Sequence, residues 1–221
     1  MQTPKLQVIR KSAFTASPWK NGGGVTHEAL RVPAGADSYR WRVSVAHIDA
    51  SGPFSDFAAY NRKMVLLQGA GIELSFADRS RKILRKAGDL VEFDGALTAY
   101  CELLKGPCVD LNLMVSKADS AAVRVERFSE SLVLDARDGT MRDGTMRDGT
   151  MRDGTMRDGT MIIFAIDRGF TLATDTGETV TLESWDLAVL PYGSCHLRRL
   201  EPAGAGVSTS VFVATLKLVS G

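Results

Sequence analysis

Apolar and polar positions alternate over short runs along most of the chain, and Gly, Pro and Asp interrupt each run before it reaches helical length. No long stretch repeats apolar residues three and four apart, so the pattern predicts strands throughout and an all-β fold. In the first half the expected strands are Lys5 to Ile9, Val25 to Val32, Tyr39 to Ile48, Lys63 to Leu67, Gly71 to Ala77, Ser80 to Leu84, Asp89 to Phe93, Ala99 to Leu104 and Val109 to Val115. In the second half they are Val123 to Phe128, Ser131 to Asp135, Met161 to Ile166, Phe170 to Thr174, Thr179 to Leu182, Asp186 to Leu190, His196 to Leu200 and Val207 to Leu218. Their regular spacing suits a sandwich or barrel.

Two strands alternate most cleanly. In Tyr39 to Ile48, Trp41, Val43 and Val45 share one face and Arg40, Arg42 and Ser44 the other; in Val109 to Val115, Asp110, Asn112 and Met114 oppose Leu111, Leu113 and Val115. Each polar face is either a solvent-facing stripe, which antiparallel sheets carry routinely, or the lining of an interior pocket.

The chain also repeats itself. Gly71-Ile72-Glu73-Leu74 has a counterpart in Gly169-Phe170-Thr171-Leu172, and Gly88-Asp89-Leu90 through Gly95 in Trp185-Asp186-Leu187 through Gly193. The nearly constant offset points to duplication, with one lobe over residues 1–118 and a second over 119–221. A different repeat, Arg-Asp-Gly-Thr-Met, occurs five times unchanged from Arg137 to Met161. A period of five fits neither strand nor helix, and Met is its only large apolar residue, so the array is expected to be a mobile surface loop carrying no part of the core. One acid per unit is too sparse for a calcium loop.

Composition narrows the classes. With 221 residues and 44% hydrophobic content the chain has ample material for a core. Its 27 basic and 26 acidic residues, net +1 and without blocks, speak against a nucleic-acid footprint or an anionic-membrane patch. Met1 to Arg10 lacks the apolar core of a leader, and no apolar run is long enough for a membrane span, so a cytoplasmic location is expected. Cys101, Cys108 and Cys195 have no metal-ligand spacing and read as reduced, buried thiols. His27, His47 and His196 are scattered singly, and no metal or other cofactor is expected.

Asn21-Gly22-Gly23-Gly24 requires separate treatment, because three consecutive glycines are kept where φ is positive or backbones approach closely. They fit neither a dinucleotide fingerprint nor a P-loop. If Val25 to Leu30 is a strand, Thr26 and Glu28 share one face and His27 takes the other. The run Pro18-Trp19-Lys20-Asn21-Gly22-Gly23-Gly24-Val25-Thr26-His27-Glu28 resembles the W-K-N-G-G-G-x-T-x-E signature of the HutD/Ves family. Trp41-Arg42-Val43-Ser44, Gly52-Pro53-Phe54-Ser55 with Arg62 after it, and Asp110-Leu111-Asn112-Leu113-Met114 match further motifs, and together the matches cover about half of the chain.

The resemblance implies a cupin-like double-stranded β-helix (the RmlC-type jelly roll), duplicated as a bicupin, and an association with bacterial histidine utilisation. Pro191-Tyr192-Gly193-Ser194-Cys195-His196 adds a likeness to the P-x-G-x-x-H of the second cupin motif. If the polar faces point into the barrel, Arg42 supplies a forked donor for a carboxylate, Asp110 or Glu28 holds it, and Ser44, Asn112 and Thr26 add neutral hydrogen bonds. Lys20 adds a second charge; Asn21 and Arg62 complete the candidate site. Two classes of function follow. One is a non-catalytic regulatory protein that senses a small carboxylate, N-formylglutamate or urocanate being the candidates the family implies. The other is a metal-free isomerase or hydrolase with Glu28 or Asp110 as general base. A homodimer is compatible with either.

Overall fold

The computed structural model describes residues 6–135, 159–191, 194–199 and 208–217. Among these residues there are nineteen strands, one 3-10 turn at Lys11–Ala13 and no α-helix. The strands are β1 (Gln7–Ile9), β2 (Thr15–Pro18), β3 (Gly24–Val32), β4 (Trp41–Ile48), β5 (Gly52–Pro53), β6 (Tyr60–Gln68), β7 (Ile72–Phe76), β8 (Arg81–Leu84), β9 (Leu90–Asp94), β10 (Ala99–Leu103) and β11 (Cys108–Ser116). They continue with β12 (Ser120–Phe128), β13 (Ser131–Asp135), β14 (Gly159–Ala165), β15 (Phe170–Thr174), β16 (Thr179–Leu182), β17 (Leu187–Pro191), β18 (Ser194–Arg199) and β19 (Thr209–Lys217). Every strand expected from the alternation has its counterpart. The two that alternation missed, β2 and β5, are short and end in proline, which has no N–H for the ladder.

Four antiparallel sheets form, ordered β2-β3-β4-β11-β6-β9, β5-β10-β7-β8, β1-β17-β14-β19-β12 and β13-β18-β15-β16. Adding eight to each label turns β4-β11-β6-β9 into β12-β19-β14-β17, and β5-β10-β7-β8 into β13-β18-β15-β16. Only β1, β2 and β3 fall outside this correspondence, and β1 pairs with β17, so the start of the chain joins the later sheet.

Three apolar layers hold the sheets together. Ile48, Met64, Leu66, Ile72, Leu74 and Cys101 fill the first sheet pair, and Ile163, Phe170, Leu172, Leu197 and Val213 fill the second. Between the pairs, Trp41, Val43, Leu111 and Leu113 meet Ile162, Phe164, Leu187 and Phe212. Each fully buried side chain of this size contributes about 1.5–3 kcal/mol, so separating the pairs would be strongly unfavourable. The odd-numbered residues of β4 and β11 thus face the junction, while the even-numbered ones face the interior of the first pair.

One expectation needs correcting. Most of the pentapeptide array, including the expected mobile loop, lies outside the described residues, but its last three residues, Gly159-Thr160-Met161, are the start of β14, between β17 and β19. Met161 is buried in the second core. The array therefore does supply part of the core, because strand pairing captures whichever apolar residue precedes Ile162 in phase.

Candidate functional site

The even-numbered positions of the central strands divide the first interior into a dry half and a polar half. Register lays the polar half out as a grid: Arg42, Met114 and Arg62 stand abreast, then Ser44, Asn112 and Met64, then Ala46, Asp110 and Leu66. Thr26 extends the third row from β3. Over this floor lies a cavity of about 590 Å³, walled by Trp19, Lys20 and Asn21 from the β2–β3 turn and by Phe54, Ser55 and Phe57 from the β5–β6 connection.

The glycine run shapes the turn in the two ways expected of it. Gly22 has φ of +71°, and a Cβ on Gly24 would stand 2.2 Å from the His47 carbonyl oxygen, so β3 can close on β4 only without a side chain there. Asn21 accepts the Gly23 amide proton at 3.0 Å, locking the bend. Trp19 donates its Nε1 proton to Thr26 Oγ1 at 2.7 Å and meets Phe54 edge-on at 6.1 Å, which closes the wall.

Charge is unevenly satisfied in this cavity. Arg62 is almost wholly buried, its guanidinium lying 5.0–5.5 Å from the ring centroids of Phe54, Phe57 and Phe93. Burial lowers its pKa to about 10 despite the nearby Asp110 carboxylate. Asp110 is buried too, and burial raises it to about 7 against the pull of Arg62. Four buried side-chain atoms have no hydrogen-bond partner among the described residues, and three of them, Arg62 Nε, Asp110 Oδ2 and Asn112 Oδ1, belong to residues of this cavity; the fourth is Thr209 Oγ1. Each such atom costs about 1–3 kcal/mol, so the cavity holds unmet demand for one acceptor and for donors.

Of the residues expected at the site, Lys20, Asn21, Thr26, Arg42, Ser44, Arg62, Asp110 and Asn112 line the cavity. Glu28 does not. It stands beside Ser44 and holds Arg42, accepting from its Nε at 2.5 Å and from Arg31 Nη2 and Nε at 2.7 and 3.1 Å. Burial pushes its carboxyl up, but the bonds and charges of Arg31 and Arg42 outweigh that and keep it below the ordinary carboxylate value. Of the two carboxylates that could brace Arg42, Glu28 is the one that does so directly. Sequence reasoning missed Trp19, Phe54 and Phe57 as wall residues, although Trp19 and Phe54 lie within motifs already singled out.

The histidines also differ from expectation. His27 and His47 are not isolated: their rings meet at 5.1 Å on the opposite face of the sheet, brought together by the diagonal of β3 and β4. Among the described residues no three His, Cys, Asp or Glu side chains come together as metal ligands would, and no helix is long and apolar enough to cross a membrane. Cys101 and Cys108 are buried in the first core, and burial drives the Cys101 thiol to about 12.

The chain matches the family model described as HutD over residues 11–205. A 21.2 kDa protein from the hutC 3' region of Pseudomonas putida is 41% identical over 112 residues, 50% of this chain and 58% of that protein. The matched stretch thus spans little more than half of the curated relatives' length. A solved protein of Pseudomonas aeruginosa PAO1, PA5104, superposes with a TM-score of 0.78 at 25% identity, covering 96% of this chain and 99% of that one. HutD from Pseudomonas fluorescens SBW25, solved in a formate condition, gives 0.67 at 24%, covering 98% and 100%. A cupin barrel-domain protein from Leptotrichia buccalis shares the fold at 13% identity, with a TM-score of 0.53 over 97% and 96% of the two chains.

Proposed function

This chain belongs to the HutD family, which is linked to histidine utilisation, and from that premise we propose that it is a non-catalytic, metal-free regulatory protein that binds a small carboxylate metabolite in the cavity of the first sheet pair. The observation that carries this reading is the set of three buried, unpartnered polar atoms on Arg62, Asp110 and Asn112 around one cavity. An occupant that satisfies them must present an anionic acceptor to Arg62 and donors to Asp110 and Asn112. N-formylglutamate, with carboxylates and one amide N–H, and urocanate, with a carboxylate and one imidazole N–H, each supply the anionic acceptor and one of the two donors. Arg42, held by Glu28, and Lys20 read charge; Ser44, Thr26 and Asn21 fix orientation. The eight-strand correspondence supports a bicupin, with residues 1–118 and 119–221 as its two cupin-like units, acting in the cytoplasm where such metabolites arise.

Titration calorimetry tests the reading. The unmodified chain is expected to bind N-formylglutamate or urocanate, and Arg42→Ala to lose roughly 2 to 5 kcal/mol of binding, because the ligand's buried charge is left without its fork. No heat from either metabolite or from glutamate, or full affinity in Arg42→Ala, would sink it. A second reading has one observation in its favour: a carboxyl at about 7 in a cavity suits a general base, which makes Asp110, and not the doubly engaged Glu28, the candidate for a metal-free isomerase or hydrolase. Incubation with each metabolite, followed by ultraviolet spectroscopy and mass, separates the two readings: turnover supports the enzyme.

A further inference from the structure

Two turns of the molecule are built alike, and one of them carries a residue ill-suited to it. In the turn before β9, Lys86 N donates to Asp89 Oδ2 at 3.1 Å and Asp89 N to Lys86 O at 3.0 Å; before β17, Glu183 N donates to Asp186 Oδ2 at 3.0 Å and Asp186 N to Glu183 O at 3.1 Å. The residue preceding each aspartate is left-handed: Gly88 with φ of +90° and Trp185 with φ of +71°. Glycine adopts this conformation freely, whereas a bulky side chain there is strained by about 1–3 kcal/mol. The second turn keeps the strain and with it an indole at the junction of the sheet pairs.

The indole borders a cleft of about 770 Å³, larger than the polar cavity and on the opposite face of the six-stranded sheet, lined by Lys11, Phe14, His27, His47, Ser184 and Trp185 among others. Its formal charges balance, Arg10 and Lys11 against Glu183 and Asp186, but they are unequally engaged. Asp186 is committed, accepting from Arg10 Nη1 at 2.7 Å, from the Lys11 amide at 2.9 Å and from Glu183 N. Lys11 Nζ has no ion-pair partner among the described residues and lies 3.9 Å from the Trp185 ring centroid. His47 meets Trp185 at 6.2 Å and His27 at 5.1 Å, so two imidazoles and one ammonium face the same space. The other charged groups nearby are Arg10, Asp186, Glu183 at the exposed rim and Asp49 beyond the end of β4.

We propose that this cleft is a second binding site, for a flat organic anion of the aromatic carboxylate class, whose ring sits among Phe14, Trp185 and the two imidazoles and whose carboxylate is met by Lys11 and the His27–His47 pair. The site is independent of the metabolite cavity, since the side chains of the two project from opposite faces of β3 and β4. Burial, and then the neighbouring imidazole, lower the His47 pKa. A bound carboxylate reverses that balance, so binding takes up protons and weakens as pH rises through the histidine range.

Benzoate and trans-cinnamate, with cyclohexanol as an uncharged control, are titrated into the full chain by calorimetry at pH 6 and pH 8. The ring resonances of His27, His47 and Trp185 are followed by NMR. The aromatic acids are expected to bind and shift all three residues, with affinity falling about tenfold from pH 6 to pH 8. Lys11→Met, which keeps the stem over Trp185, is expected to weaken binding at least about tenfold, and His47→Gln to flatten the pH dependence. Arg42→Ala, which empties the metabolite cavity of its fork, is expected to leave these affinities within about twofold, as side chains on opposite faces add independently. Absence of shifts at millimolar acid, undiminished affinity in Lys11→Met, or an equal loss in Arg42→Ala each overturns the proposal. Lys11 is exposed, so its variant reports even if His47→Gln fails to fold.

Discussion

The interiors of the two sheet pairs share a strand order and differ in what their central strands carry. On β11 the inward positions are Asp110, Asn112 and Met114; on β19 they include Val211 and Val213. On β6 they are Arg62, Met64 and Leu66, and on β14 Met161, Ile163 and Ala165. Even the matching connections diverge. Residues 54–59 between β5 and β6 wall the cavity with Phe54, Ser55 and Phe57, whereas between β13 and β14 the chain carries the pentapeptide array. Apolar alternation therefore builds the frame, and a few polar side chains at inward positions of the first pair line a polar cavity where the second pair has a dry core. The difference leaves a physical mark, since three of the four unpartnered buried atoms among the described residues sit on the polar side.

The strongest way to break this comparison is to place a carboxylate in the dry interior. Val211 is fully buried and stands across from Glu126, so Val211→Asp is expected to destabilise the chain by about 5 kcal/mol or more and to leave it unfolded at neutral pH in a circular dichroism melt. A folded, cooperative variant would show that the second interior tolerates charge as the first does.

The next effect reads the cost already present in the first interior. Asp110 titrates at about 7 in the fold and at roughly 3.9 unfolded, so between those values the native chain holds a proton that the unfolded chain has lost. Stability should accordingly fall as pH rises from about 4 to about 7 and level off above, a span worth up to roughly 4 kcal/mol. In Asp110→Asn this slope should vanish from urea unfolding measured across the same pH range. A parallel slope in parent and variant would assign it to other groups.

The smallest effect concerns the two connections. Removing Arg137 to Met156 leaves one unit, Arg157 to Met161, to lead into β14. Loop closure changes by only about 0.6 kcal/mol per doubling of length, so the shortened chain should be more stable by about 2 kcal/mol, with metabolite binding unchanged. A loss of several kcal/mol on urea unfolding would mean that the deleted units pack.

Much of this was legible in the sequence, for reasons that particular residues make plain. Period-two alternation located β4 and β11 and separated Arg42, Ser44, Asp110 and Asn112 from their apolar neighbours. It left open whether the polar face was wet, because alternation reports two unlike faces and not what covers them. Here both are covered: every residue of β11 from Cys108 to Val115 is buried. The choice between Glu28 and Asp110 as the brace for Arg42 was likewise open, since it depends on register; Glu28 lies opposite Ser44, at a bulge that admits Arg31 as well. The His27–His47 contact arises diagonally across two strands, with no local signal. For Met161 alternation and the repeat give opposite expectations, a strand and a loop outside the core; the strand is what forms, because membership of a repeat says nothing about which neighbour captures a residue.

That capture has a consequence for how this protein can be inherited. Every unit of the array closes on Gly-Thr-Met, and β14 opens on Gly-Thr-Met. A copying slip that adds or drops whole units, wherever it falls, returns the same three residues in the same phase to the place now held by Met161. A slip of an odd number of residues within the strand would turn its apolar face away from the core. Lengthening or shortening in steps of five residues therefore keeps the opening of β14 the same and alters only the closure of the connection before it.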